Sequence, residues 1–90
     1  MNQHTVLLSP MCNGVFIREL EQEFTGDYFE MIERLGKIFC NLVMTNPKEL
    51  YAIQISDLNS SMVYYYESGN IYNSLYRKLK PCFRYSFSDN

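Results

Sequence analysis

The chain has 90 residues, 47% of them apolar, and a formal net charge of −2. That length makes one domain, residues 1–90, with a real but small core, and the apolar content excludes a disordered chain. The acidic balance excludes a general electrostatic nucleic-acid binder, and no run of about eighteen uncharged apolar residues is present to span a membrane.

The opening, MNQHTVLLSPMC, lacks the basic start and long apolar stretch of a signal peptide. The expected location is therefore the cytoplasm, or a host-cell cytoplasm if the chain is viral. Residues 4–8, HTVLL, read as a short strand stopped by Ser9-Pro10. Asn13-Gly14 is a turn signal. Over residues 15–24 Phe16, Ile17, Leu20 and Phe24 fall on one side of a helix, and Thr25-Gly26 punctuates it.

The strongest signal lies in residues 27–45. Tyr28, Met31, Ile32, Leu35, Ile38, Phe39, Leu42 and Val43 recur at steps of three and four, which is one continuous apolar helix face. Asp27 is a good N-cap, with Glu30 in the place of a capping-box partner. Glu30/Arg34 and Glu33/Lys37 stand at i,i+4 in the favourable order. Asn46-Pro47 ends the helix, because the residue before proline resists the helical region.

After Pro47 the period changes to two. Tyr51, Ile53 and Ile55 alternate with small or polar residues, residues 57–61 carry turn chemistry, and residues 62–67, MVYYYE, suit a second strand. This predicts a hairpin with a loop of about five residues. Asn70 then caps a second predicted helix, residues 71–80, with Ile71, Leu75 and Leu79 in line, stopped by Pro81. CFRYSFS alternates as a last strand, and residues 88–90 form a polar tail expected to fray. The expected fold is α+β, an antiparallel sheet with helices on one face in the order β-α(α)-β-β-α-β. That order resembles the split βαβ, ferredoxin-like arrangement. A rival leaves the first segment outside a three-stranded sheet.

Little in the chain suggests catalysis. The single histidine, His4, has no nearby partner, and phosphate-binding glycine motifs are absent. Three widely spaced cysteines, Cys12, Cys40 and Cys82, make neither a disulfide framework nor a zinc site. Cys12 as a nucleophile is a distant reading; a structural thiol is the plainer one. The expectation is no enzyme, no cofactor and no metal.

Surface chemistry is more informative. Phe29, Gly36, Cys40 and Met44 share a flank of the central helix outside its core face. They form either a second buried side or a docking surface, aromatics and methionine being enriched at interfaces. Tyrosine is unusually common, at eight residues, and Tyr64, Tyr65 and Tyr66 are consecutive. On a strand Tyr64 and Tyr66 share one face and Tyr65 takes the other. Cross-strand packing explains such a cluster, and so does a presented aromatic surface. The main expectation is a protein-binding module, an inhibitor, adaptor or regulatory subunit of phage, plasmid or immunity type. It would bind another protein or itself through Phe29, Gly36, Cys40, Met44, Tyr64 and Tyr66. An aromatic third strand in a β-α-β-β-α-β chain is also similar to the RNA-recognition motif, although the basic-Gly-aromatic pattern of that family is absent. That similarity implies an alternative, a single-stranded nucleic-acid binder. Tyr64 and Tyr66 would stack on bases, and Arg77, Lys78, Lys80 and Arg84 would meet phosphates.

Overall fold

A computed structural model describes residues 4–73 and the backbone of residues 83–84. It is an α+β fold. Among the described residues one α-helix packs on one face of a seven-stranded antiparallel sheet.

Strand β1, His4–Cys12, is longer than the sequence suggests and runs straight through Pro10. Asn13 and Gly14 take left-handed φ values of 52° and 83°, which is the tight two-residue turn that matches strand twist. The chain therefore folds back as β2, Val15–Phe16, with Cys12 opposite Val15. A single 3-10 turn, Arg18–Leu20, leads into β3, Gln22–Gly26, which also pairs with β1. The helix expected over residues 15–24 is thus replaced by two edge strands. The turn at Asn13-Gly14 commits the segment to β1, and long-range pairing overrides a weak local helical pattern. Pro10 is tolerated because its missing N–H falls where the 3-10 turn interrupts that edge. Its carbonyl still accepts from Ile17 N at 2.9 Å.

Helix α1, Tyr28–Thr45, begins as its sequence demands. Glu30 N donates to Asp27 Oδ1 at 2.8 Å, and Asp27 N donates to Glu30 Oε1 at 2.9 Å. A cap of this kind contributes about 1 kcal/mol. Arg34 does not turn to Glu30. Its guanidinium donates to Gln22 Oε1 at 2.8 Å and lies 5.1 Å from the Phe24 ring centre, tying the helix to β3.

Strands β4, Tyr51–Ser56, and β5, Ser61–Glu67, form the expected hairpin with a loop of four residues. Asp57 caps that loop by accepting from Asn59 N and Ser60 N at 2.8 and 2.9 Å. Those bonds, Asn59 first, hold its carboxyl below the usual range. Ser68 and Gly69, with φ of 53° and 84°, make a second tight turn into β6, Asn70–Asn73. Asn70 thus faces Glu67 across a ladder instead of capping a helix. The remainder of that predicted helix lies outside the described residues. Strand β7, Phe83–Arg84, pairs with β6; the rest of the predicted last strand lies outside the described residues.

The sheet order is β2-β1-β4-β5-β6-β7, with β3 beside β1 on the β2 edge. Both β3 and β4 are antiparallel to β1, so they are parallel to each other, and α1 crosses between them. This is a split βαβ unit, but its middle strand is the N-terminal one. The described strands therefore depart from the β-α(α)-β-β-α-β order and from the ferredoxin-like arrangement it implied. The core lies under α1. Ile32, Leu35 and Phe39 meet Leu8, Ile53, Ile55, Tyr64 and Ile71, all buried.

Candidate interaction surface

Helix α1 sets the geometry of the candidate surface, because its core face fixes where its other residues stand. With Ile32, Leu35 and Phe39 on the sheet, the flank carrying Phe29, Glu33, Cys40 and Met44 turns outward. Phe29 is 80% exposed and Met44 72%. Gly36, at the border of this flank, is buried, and Cys40 is half-buried. The Cys40 thiol reaches Met44 Sδ at 3.6 Å. Tyr28, expected on the core face, is 47% exposed and meets the Phe29 ring edge-on at 5.7 Å.

The tyrosine cluster divides by strand parity. Tyr64 is 4% exposed and belongs to the core. Tyr66 is half-buried on the same side, its ring 5.6 Å from that of Phe39. Neither is the open aromatic platform the sequence suggested. Tyr65 points to the opposite face, where it stacks on Tyr72 at 5.8 Å with 27° between the rings. Sequence reasoning left the face of each tyrosine open and missed Tyr72. Loop length was the available signal. A four-residue loop sets Ser56 against Ser61 and hence Ile53 against Tyr64. One more residue in the loop would have turned the other tyrosine inward. Of the basic set, Arg77, Lys78 and Lys80 lie outside the described residues, and only the backbone of Arg84 is described.

A second feature that sequence reading missed is a polar knot at one end of the sheet. Glu49 accepts from Asn13 Nδ2 and from Asn46 Nδ2, the latter at 3.2 Å, with the Cys12 thiol at 4.0 Å. Asn13 also exchanges bonds with the Leu50 backbone at 2.7 and 3.0 Å. The β1–β2 turn is thereby tied to the segment that follows α1. Beside it Tyr51 donates to Asn46 O at 2.9 Å. Burial, with smaller contributions from Cys12 and Glu49, raises the Tyr51 pKa, so its hydroxyl stays a donor. The knot is a clamp.

Two shallow clefts flank Tyr51. One, of about 450 Å³, is lined by Leu50, Ala52, Val63, Tyr65 and Glu67. The other, of about 400 Å³, lies between α1 and the 3-10 turn against Leu20, Ile38 and Leu42. Among the described residues no three His, Cys, Asp or Glu side chains gather as a metal site. No described helix is long and apolar enough to cross a membrane. Comparison with protein-family models, curated proteins and solved structures finds no match.

Proposed function

We propose that this chain is a small protein-binding module, an inhibitor, adaptor or regulatory subunit, that acts by association rather than catalysis through the outer flank of α1. The observation that carries the reading is the exposure of Phe29 and Met44 on one stripe of a helix whose other side already fills the core. Single exposed apolar residues are ordinary on any protein. Here two large ones share a stripe with the exposed Glu33 and a half-buried cysteine. Aromatic and methionine side chains so placed are typical anchors of a protein interface. Tyr64 and Tyr66 drop out of the surface because they serve the core.

The test is capture of a partner by the tethered chain from its own host, with the partner identified by mass. F29E and M44E should each weaken capture by about 2 kcal/mol or more while leaving the thermal midpoint unchanged. Full capture by both variants would refute the surface.

One observation favours a second reading, single-stranded nucleic-acid binding. The Tyr65–Tyr72 stack lies on the sheet face away from α1, and paired rings of this kind suit base stacking. Binding of an oligonucleotide that weakens steeply with salt would support it; no binding at low salt would end it.

A further inference from the structure

We infer that the outer edge of β3 takes up an extended segment of another protein as an added strand, one that alternates basic and apolar residues. This site is separate from the α1 flank. Consecutive residues of a strand turn their N–H and C=O to opposite sides, so facing residues in an antiparallel pair alternate between exchanging both bonds and exchanging none. Ile17 N donates to Pro10 O, and Asn13 N donates to Leu50 O. Pro10 therefore faces the β2–β3 edge and Asn13 faces β4. Neither ladder of β1 contains a bulge, so Leu8, Val6 and His4 face that edge as Pro10 does. Their partners are Gln22, Phe24 and Gly26. Glu23 and Thr25, between them, turn N–H and C=O away from β1. Both residues are exposed, and among the described residues no strand stands on that side. Such a row of backbone groups is a template for one more strand.

Charge selects the occupant. Glu21 and Asp27, both extended, continue the edge at its two ends. A second copy would bring acid onto acid in each register that pairs β3 with itself. Centred on Glu23, the pairing sets Glu23 against itself. Centred on Phe24 it sets Glu21 against Asp27, and centred on Thr25 it sets Glu23 against Asp27. Like charges directly opposite destabilise a ladder. Lys or Arg opposite Glu21 and Glu23 reverses the sign. Those two acids lie on the sheet face away from α1, where Glu21 accepts from Ser9 Oγ at 3.0 Å. The alternate residues of the added strand fall on the α1 side, opposite Gln22 and Phe24. Arg34, 5.1 Å from the Phe24 ring centre, disfavours a cation there. An apolar side chain instead meets that ring, and the next one stands beside the cleft of about 400 Å³ that Gln22 shares with Leu20, Ile38 and Leu42. Main-chain bonds then supply affinity, and the alternating side chains supply specificity.

The probe is a blocked peptide, Thr-Val-Lys-Val-Lys, titrated into the labelled full chain. Antiparallel to β3, it sets Thr opposite Thr25 and its two lysines opposite Glu23 and Glu21. At saturation amide exchange at Glu23 and Thr25 should slow by more than about tenfold. E23K should weaken binding by more than about tenfold, since like charges then face each other. The same peptide N-methylated at its Thr and Lys backbone nitrogens keeps its charge, cannot donate to the edge, and should not bind. The assignment is overturned by absence of binding at millimolar peptide, by equal binding of the N-methylated form, or by equal binding of a peptide with Glu for Lys. Undiminished binding to E23K overturns it as well. Protection of Glu23 and Thr25 that rises with protein concentration in the absence of peptide would put a second copy on the edge and overturn it too.

Discussion

Phe39→Ala should destabilise the fold by about 3–5 kcal/mol, the usual cost of deleting a buried aromatic ring. Phe39 is fully buried, sits on the core face of α1 and packs its ring 5.6 Å from that of Tyr66. It therefore joins the helix to the β5 side of the sheet. A chain of this length has a total stability of roughly 5–13 kcal/mol. The loss is a large share of that, and the thermal midpoint should fall by more than about 12 °C. Leu58→Ala is the control. Leu58 is a large apolar residue at the tip of the β4–β5 loop and is fully exposed, so its removal should change stability by less than about 0.5 kcal/mol. Equal effects from the two substitutions would contradict the core assignment.

The second large effect separates adjacent tyrosines. Tyr64→Ala removes a core ring opposite Ile53 and should cost about 3 kcal/mol or more. Tyr65→Ala removes a half-buried ring that stacks on Tyr72 and should cost about 1 kcal/mol. Urea denaturation of both variants reads the difference directly. The reverse ranking would mean that the β4–β5 register is shifted by one residue, which exchanges the two faces of β5.

Helix α1 was legible in its bounds and in most of its buried face because the local cues agreed, although Tyr28 is exposed and Gly36 buried against expectation. Asp27 and Glu30 supply the cap, Ile32, Leu35 and Phe39 the buried face, and Asn46-Pro47 the stop. The β4–β5 hairpin was legible for the same reason: the change of period after Pro47 and the turn residues around Asp57 point one way. Residues 15–24 were not. Phe16, Leu20 and Phe24 satisfy a helical spacing, yet Phe24 is placed by pairing with Val6 and Phe16 by pairing with Met11, contacts that no short window contains. Gly26 looked like a helix terminator. Its actual constraint is space: a Cβ there would come within 2.8 Å of both the Phe24 ring and the Glu30 carboxylate that closes the α1 cap. The Ser68-Gly69 turn misled in the same way, because Asn70 caps helices as readily as it opens strands.

The candidate surface was legible only in part. Helical spacing sufficed to set Phe29 and Met44 outside the core stripe, since that follows from the angle between residues on one helix. The tyrosine faces depend on a hairpin register that one loop residue controls. The Glu49 knot joins residues more than thirty positions apart, Asn13 and Glu49, and no pattern in the sequence links them.

The most direct measurement is a titration of the uniformly labelled chain with the captured partner, followed by amide chemical shifts. If the α1 flank is where this protein associates, the partner-dependent shifts will gather on Phe29, Glu33, Lys37, Cys40 and Met44 and leave Tyr65 and Tyr72 unmoved. Shifts confined to β5 and β6, or to the outer edge of β3, would contradict that account.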